Sequence, residues 1–270
     1  MLKNTFCHIQ GITLQTENAL WQDGVMSWDD FFKRKNDLLI SKLPSSKKEI
    51  ISQGLLKSLK AVEKKDYSMF KSLPRNQYWR VYDYLRDDAC FLDIETTGLS
   101  KHNHEITLIG IYGRYGTKIF MNGENLEDFK GELEKYSVVV TFNGSCFDLP
   151  FLMHKFPDLV FDHFHLDLRY LLANLGFKGG LKKIEVDLGI SRDDELEGVT
   201  GYDAVILWFK YKKGDVDALD KLKKYLRADI ENLKLLMDFA YEGMEKKHLS
   251  GFDNKSDYKN VIFSLGSDGC

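Results

Sequence analysis

The stretch Ala89-Cys90-Phe91-Leu92-Asp93-Ile94-Glu95-Thr96-Thr97-Gly98-Leu99 constrains the fold of this chain more than any other. Apolar residues precede and separate two carboxylates, and small residues with a glycine follow: a strand running into a tight turn. Side chains of a strand alternate between faces, so Asp93 and Glu95 point one way while Leu92 and Ile94 point the other. Two carboxylates side by side at the end of an apolar strand repel each other and resist desolvation. A hard divalent cation with oxygen ligands is the simplest partner for them. Taken alone, a D-x-E is better read as a solvent-facing strand end with two unrelated acids, so the decision falls to the rest of the chain.

After this strand, Ile106–Tyr112 and Lys118–Met121, joined across Gly113 and Gly116, read as a hairpin. Asn125 is expected to cap a helix with Leu126, Phe129 and Leu133 on its buried face. Val138-Val139-Val140-Thr141-Phe142 is a continuous apolar run, as for a strand covered on both sides. A short strand is expected before Asp167, then mostly helices. This order is α/β and suits a mixed sheet with helices on both faces.

The 87 residues ahead of the strands read as helical. Thr16-Glu17 before Leu20-Trp21 suggests a short capped helix, and Ser27 with Asp30 three residues on suggests the cap of a second. Ile9-Gln10-Gly11-Ile12-Thr13 resembles a helix-hairpin-helix turn, in which backbone amides hold a phosphate, although Thr13 stands where a second glycine is usual. A small packed helical unit is the better reading of that piece. Leu38, Leu39 and Leu43, then Ile50, Ile51, Leu55, Leu59 and Val62, fall at helical spacing on either side of Pro44-Ser45-Ser46. Domain boundaries follow: a helical N-terminal region over 1–87, a strand-rich α/β domain over 88–245 and a polar tail over 246–270 that includes the apolar run Val261-Ile262-Phe263.

Residues 1–90 carry 15 Lys+Arg against 11 Asp+Glu, whereas residues 91–270 carry 23 against 30. A basic front beside an acidic back fits a nucleic-acid contact next to a metal site, a weak signal because lysine-rich helices are usually just solvated. No apolar run reaches membrane-spanning length, and the N-terminus lacks the apolar core of a signal peptide. Four scattered cysteines without a C-x-x-C pair argue against zinc and for reduced, mostly buried thiols in the cytoplasm.

Two further motifs carry chemistry. In Asn143-Gly144-Ser145-Cys146-Phe147-Asp148, Asp148 falls where a strand gives way to a helix, near the positive end of the helix dipole. In Tyr225-Leu226-Arg227-Ala228-Asp229, the tyrosine and the second acid lie one turn apart on a long helix whose apolar positions are Leu219, Leu222, Leu226, Ile230, Leu233 and Leu236. Asp229 adjoins that stripe and needs a partner. Asp167 is better read as a helix cap than as a fifth acid, and Phe147 as a core anchor. Lys182-Lys183, after Gly179-Gly180, begins a helix where a lysine pair can meet a phosphate backbone. Asp193-Asp194-Glu195 reads as a solvated loop.

Asp93-Ile94-Glu95-Thr96-Thr97-Gly98, Asn143-x-x-x-Phe147-Asp148 and Tyr225-x-x-x-Asp229 together resemble, in order, the three motifs of the DEDD 3′→5′ exonucleases, in their tyrosine (DEDDy, DnaQ-like) branch. The opening Phe6-x-His8-Ile9-x-Gly11-Ile12 … Thr16-Glu17-x-x-Leu20-Trp21 … Trp28 is similar to that of the YprB-like exonucleases, which extends the resemblance over nearly the whole chain. It implies a ribonuclease-H-like mixed five-stranded sheet flanked by helices, preceded by a helical N-terminal arm. It further implies two Mg²⁺ or Mn²⁺ ions held by Asp93, Glu95, Asp148 and Asp229, with Tyr225 orienting the attacking water. Thr96, Leu99 and Asn143 fall where the family touches the terminal nucleotide. The expected function is metal-dependent 3′→5′ hydrolysis of single-stranded DNA or RNA ends, with the N-terminal arm helping to hold substrate. A structure-selective endonuclease on the same fold remains an alternative, as does a nucleic-acid-binding module that no longer cleaves. Retention of all four acids and the tyrosine weighs against the last.

Overall fold

A buried carboxylate organises the first of the two units into which the chain divides, Met1–Tyr84 and Leu85–Cys270. The computed structural model describes residues 1–36, 43–196 and 198–250. In the first unit Glu17 sits on α1 (Leu14–Gln22) and accepts from the backbone amides of Phe6 (2.6 Å) and Cys7 (3.1 Å), from the Thr5 hydroxyl and from Arg80. Burial pushes this carboxyl up, but the Arg80 guanidinium and the two amides together hold it below the usual range. The cap of α1 is Thr13, whose side chain accepts from the amide of Thr16, rather than Thr16 itself. In the stretch that resembles a helix-hairpin-helix turn, Gly11 takes a φ of +84°, and a 3-10 turn at Leu2–Asn4 stands where a first helix would be. It is a packed corner.

Helix α2 (Trp28–Arg34) has the expected Ser27–Asp30 cap, and Trp28 donates to the Thr5 carbonyl at 2.6 Å. Helix α3 (Ser45–Glu63) opens directly after Pro44 and buries Ile51 and Leu55. The positions Leu38 and Leu39 lie outside the described residues. Between Ser68 and Asp88 the backbone forms 3-10 turns, not α-helix. Trp79, Arg80, Val81 and Tyr82 are all buried in succession, a burial pattern with no 3.6-residue stripe.

The second unit is built on a five-stranded mixed sheet in the order β3-β2-β1-β4-β5. Its strands are β1 (Ala89–Thr96), β2 (Ile106–Gly113), β3 (Gly116–Met121), β4 (Val138–Thr141) and β5 (Phe164–Asp167). β1 pairs antiparallel with β2 and parallel with β4; β2 and β3 form the hairpin, and β4 pairs parallel with β5. The expected mixed sheet is thus present, with helices on both faces. On one face Cys90, Leu92 and Ile94 pack with Ile109 and Ile111, with Phe129 and Leu133 of α4 (Phe129–Leu133) and with Phe151 of α5 (Asp148–Lys155). Asn125 does not cap α4: its side-chain oxygen accepts from the Met121 amide at 2.8 Å, tying off the end of β3 instead.

The chain continues through α6 (Leu168–Asn174), α7 (Leu181–Asp187), α8 (Gly201–Lys212) and α9 (Val216–Ser250). The opposite face of the sheet carries a second core in which Leu108 meets Trp208 of α8 and Leu222, Leu226 and Ile230 of α9. α9 runs five residues into the stretch expected to be tail, because its inner face stays buried through Phe239, Ala240, Tyr241 and Met244, with Phe239 against Phe177. The remainder of that tail, including Val261-Ile262-Phe263, lies outside the described residues. Of the described thiols, Cys7 and Cys90 are buried, whereas Cys146 is exposed, in the turn ahead of α5. No described helix is long and apolar enough to cross a membrane.

Gly110 lets α9 approach the sheet. It pairs with Asp93 across β1 and β2, so both face α9, and a Cβ there would come within 2.9 Å of Leu226 Cγ. Gly110→Ala is expected to cost about 1–3 kcal/mol by overpacking. Urea unfolding monitored by circular dichroism checks this, and an unchanged midpoint would mean that α9 has slack above the sheet.

Candidate functional site

Strand alternation does for Asp93 and Glu95 what the sequence expects: it turns both out of the Leu92–Ile94 core and toward α9. A register shift between Glu95 and Thr96 puts a bulge into the ladder with β2, after which Thr96 pairs with Ile106. The Thr96 hydroxyl then donates to the Gly98 carbonyl at 2.7 Å, bracing the turn. Gly98 is required in that turn, since a Cβ would lie 2.4 Å from the His104 ring. From the other side α9 delivers Tyr225 and Asp229 on successive turns, both buried.

Carboxylate oxygens of Asp93, Glu95 and Asp229 all lie within 4.8 Å of one another. Asp148, at the first turn of α5, accepts from the Ile94 amide at 3.2 Å, and its charge acts on Asp93. Asp93, Glu95, Tyr225 and Asp229 line one cleft of about 460 Å³, whose other wall includes Lys182 of α7 and Val205 of α8. Leu99 is 87 % exposed on its rim and Thr96 also lines it. Asn143 does otherwise. It holds a left-handed φ of 65°, its side-chain oxygen accepts from Arg169 at 2.6 Å, and its amide donates to Asp167. Phe147 packs on Phe151, ring centroids 4.9 Å apart, and also borders the cleft. Asp167 caps α6 and gathers the amides of Asn143 and Ser145.

The electrostatics follow from crowding acids out of water. Burial, then the charges of Asp148, Asp229 and Glu95, push Asp93 well above the carboxylate range. Burial and then Asp229 do the same to Glu95. Burial raises Asp148 to about 7 and Asp229 to about 6, the latter against the pull of Arg192. Tyr225 is pushed far above its ordinary value by burial and the neighbouring carboxylates, so its hydroxyl keeps its proton.

Arg192, which sequence inspection passed over, is the cation paired with Asp229. It bonds Glu185 twice at 2.8 Å and pairs with Asp229, while Glu185 also accepts from Asn232 at 2.9 Å. Its sequence neighbours Ser191, Asp193 and Asp194 present it as part of a polar loop, and only the tertiary fold joins it to α9. A sequence signal did mark the neighbouring Lys182.

An all-oxygen set of desolvated carboxylates fits a hard divalent cation, whose arrival would displace protons from them. Carboxyls with raised pKa hold protons that the unfolded chain has already released, so their contribution to stability is full below the unfolded carboxylate range and is lost as pH rises through about 7. His8, buried and pushed down to about 4, acts oppositely, but only below its ordinary value of 6.5. The clear window is therefore pH 6.5–8. There the melting temperature of the metal-free protein is expected to fall, and the rise produced by Mg²⁺ should be larger at pH 8 than at pH 5.5. Scanning fluorimetry reads both, and an equal Mg²⁺ effect at the two pH values would dissociate the cluster from cation binding.

Among known proteins, the sequence profile of the RNase_H superfamily matches residues 90–241. Uncharacterized protein MJ0365 of Methanocaldococcus jannaschii is 29% identical over 166 residues, which cover 54% of this chain and 94% of that protein. Two solved structures are distant likenesses. NrnC of Brucella melitensis bound to pGG has a TM-score of 0.45 and 18% identity, covering 69% of this chain and 85% of that one. The family B DNA polymerase of the hyperthermophilic archaeon Pyrobaculum calidifontis has a TM-score of 0.44 and 15% identity, covering 66% and 29%.

Proposed function

This chain belongs to the RNase H superfamily, and on that footing we propose that it is a metal-dependent 3′→5′ exonuclease acting on single-stranded nucleic acid. The observation that carries the reading is the convergence of Asp93, Glu95 and Asp229 within 4.8 Å, beside Tyr225, in one cleft. The ordered motifs D-x-E, N-x-x-x-F-D and Y-x-x-x-D support the exonuclease class.

Asp93, Glu95, Asp148 and Asp229 are the residues that would hold two divalent cations, Mg²⁺ or Mn²⁺. Such cations supply a water of lowered pKa and neutralise charge building on the phosphate. Tyr225 contributes as a protonated hydroxyl, which orients water by hydrogen bonding and does not act as a base. Asp148 is held by the Ile94 amide, so its position relative to Asp93 is fixed by the strand backbone itself. Leu99, projecting from the rim, is suited to contact the base of a terminal nucleotide, and Thr96 shapes the turn that presents it. Asn143 belongs to this group only if Arg169 releases its side chain.

The test uses a 5′-labelled single-stranded DNA and a matching RNA, with Mg²⁺, Mn²⁺ or EDTA, for the wild type and Asp229→Asn. A ladder shortening from the 3′ end, abolished by EDTA and reduced to background in the variant, is the expected result and also identifies the preferred sugar. Discrete internal cuts would instead indicate an endonuclease. Oligonucleotide bound yet intact under every condition would leave a binding module.

A further inference from the structure

Lys182 and Lys183 are neighbours on α7 with opposite fates. Lys183 is exposed and pairs with Asp187 at 3.0 Å. Lys182 turns inward: its Nζ lies 4.4 Å from the centroid of the Tyr225 ring, is itself buried, and has no hydrogen-bond partner among the described residues. The residue lines the same cleft as Asp93, Glu95, Tyr225 and Asp229.

An ammonium has three donors, and leaving all of them unused away from water is costly. Three acids lie near enough to attract it, Asp229, Glu185 and Glu95, yet none of them accepts a hydrogen bond from it, and the first two share Arg192 as their cation. Glu185 is engaged twice by Arg192 and once by Asn232, and Asp229 is paired with Arg192. Burial accordingly holds Lys182 below the ordinary lysine value. Lysine is a point-charge binder of phosphate on a flexible four-carbon stem, so the ammonium can leave the tyrosine face for an anion in the cleft.

We propose that Lys182 is a substrate-binding residue whose ammonium takes a non-bridging oxygen of the phosphate that the carboxylate cluster engages. This rests on the nuclease reading above and names the group that recognises the anion. The ligand class is a phosphodiester, or the nucleoside 5′-monophosphate that its hydrolysis releases. The Tyr225 ring is the resting place of the ammonium when no anion is present, and the attraction of a cation to an aromatic face accounts for its position.

The experiment compares wild type with Lys182→Met, which keeps the stem and removes the charge, and with Lys182→Arg. Calorimetry measures deoxyadenosine 5′-monophosphate binding in Mg²⁺. Steady-state kinetics on a single-stranded oligonucleotide, Mn²⁺ affinity without nucleotide, and the melting temperature complete the set. For Lys182→Met, nucleotide affinity and kcat/KM are each expected to fall about tenfold or more, the weight of one charge-assisted hydrogen bond. Lys182→Arg should recover part of both, while Mn²⁺ affinity and melting temperature hold or rise. Wild-type values for nucleotide binding and kcat/KM in Lys182→Met would overturn the assignment. So would a loss matched by equal losses of Mn²⁺ affinity and melting temperature, which would make Lys182 a structural counter-ion. A wild type that neither cleaves nor binds nucleotide sinks the nuclease reading and this inference with it. A cleaving wild type with an indifferent Lys182→Met sinks the lysine alone.

Discussion

Crowding four carboxyls at the end of one strand is the constraint on which the second unit depends. Asp93, Glu95, Asp148 and Asp229 come from three separate elements, and each is more comfortable apart from the others. The work of assembly falls to apolar contacts that have nothing to do with the acids. Leu226 and Ile230 press α9 onto the sheet at Gly110 and Leu108, and Asp229 lies between those two residues on the helix. Thr117 adds a polar anchor by donating to Glu231 at 2.6 Å. The site is thus strained electrostatically and rigid mechanically, the combination expected where function opposes stability.

The same α9 face explains why the cluster is mixed in its needs. Arg192 stands against Asp229 as an internal counter-charge, and Glu185 fixes the guanidinium through a two-point contact that a lysine could not reproduce. A buried pair of this kind contributes little net stability, since desolvation offsets most of the attraction, but removing one partner would strand the other. Its value is positional. It lets Asp229 remain at the sheet without being fully protonated, and under the proposed function it would leave the Asp93–Glu95–Asp229 gap to a cation from solution.

What was legible in the sequence had its spacing inside one element. Asp93 and Glu95 are two apart on a strand and Tyr225 and Asp229 four apart on a helix, so each pair shares a face whatever the rest of the chain does. Core stripes of α9 and the apolar run of β4 were readable for the same reason. The failures share the opposite cause. Arg192 takes its meaning from Glu185 and Asp229, neither of which it neighbours in sequence. Asn125 has the residue type of a helix cap, yet the Met121 amide, left over at the end of β3, claims its oxygen. Trp79 to Tyr82 are buried in succession, and no periodic template describes such a run.

The two buried arginines show how one chemistry serves two ends. In the first unit, Arg80 meets Glu17 at 2.6 Å, with the Phe6 and Cys7 amides completing the carboxylate's coordination, so the carboxyl stays below its usual range although Arg80 Nε itself has no hydrogen-bond partner among the described residues. In the second, Arg192 satisfies Glu185 but has one nitrogen, Nη1, without a hydrogen-bond partner among the described residues, and the carboxyl of Asp229 still sits above its usual range. The difference lies in backbone donors. Glu17 has two amides and a hydroxyl aimed at it, whereas Asp229, in mid-helix, has every nearby amide committed to the helix itself. A carboxylate placed in the middle of a helix and turned into a cleft cannot be satisfied by its own backbone, and under the proposed function that deficit is what would make Asp229 available as a ligand.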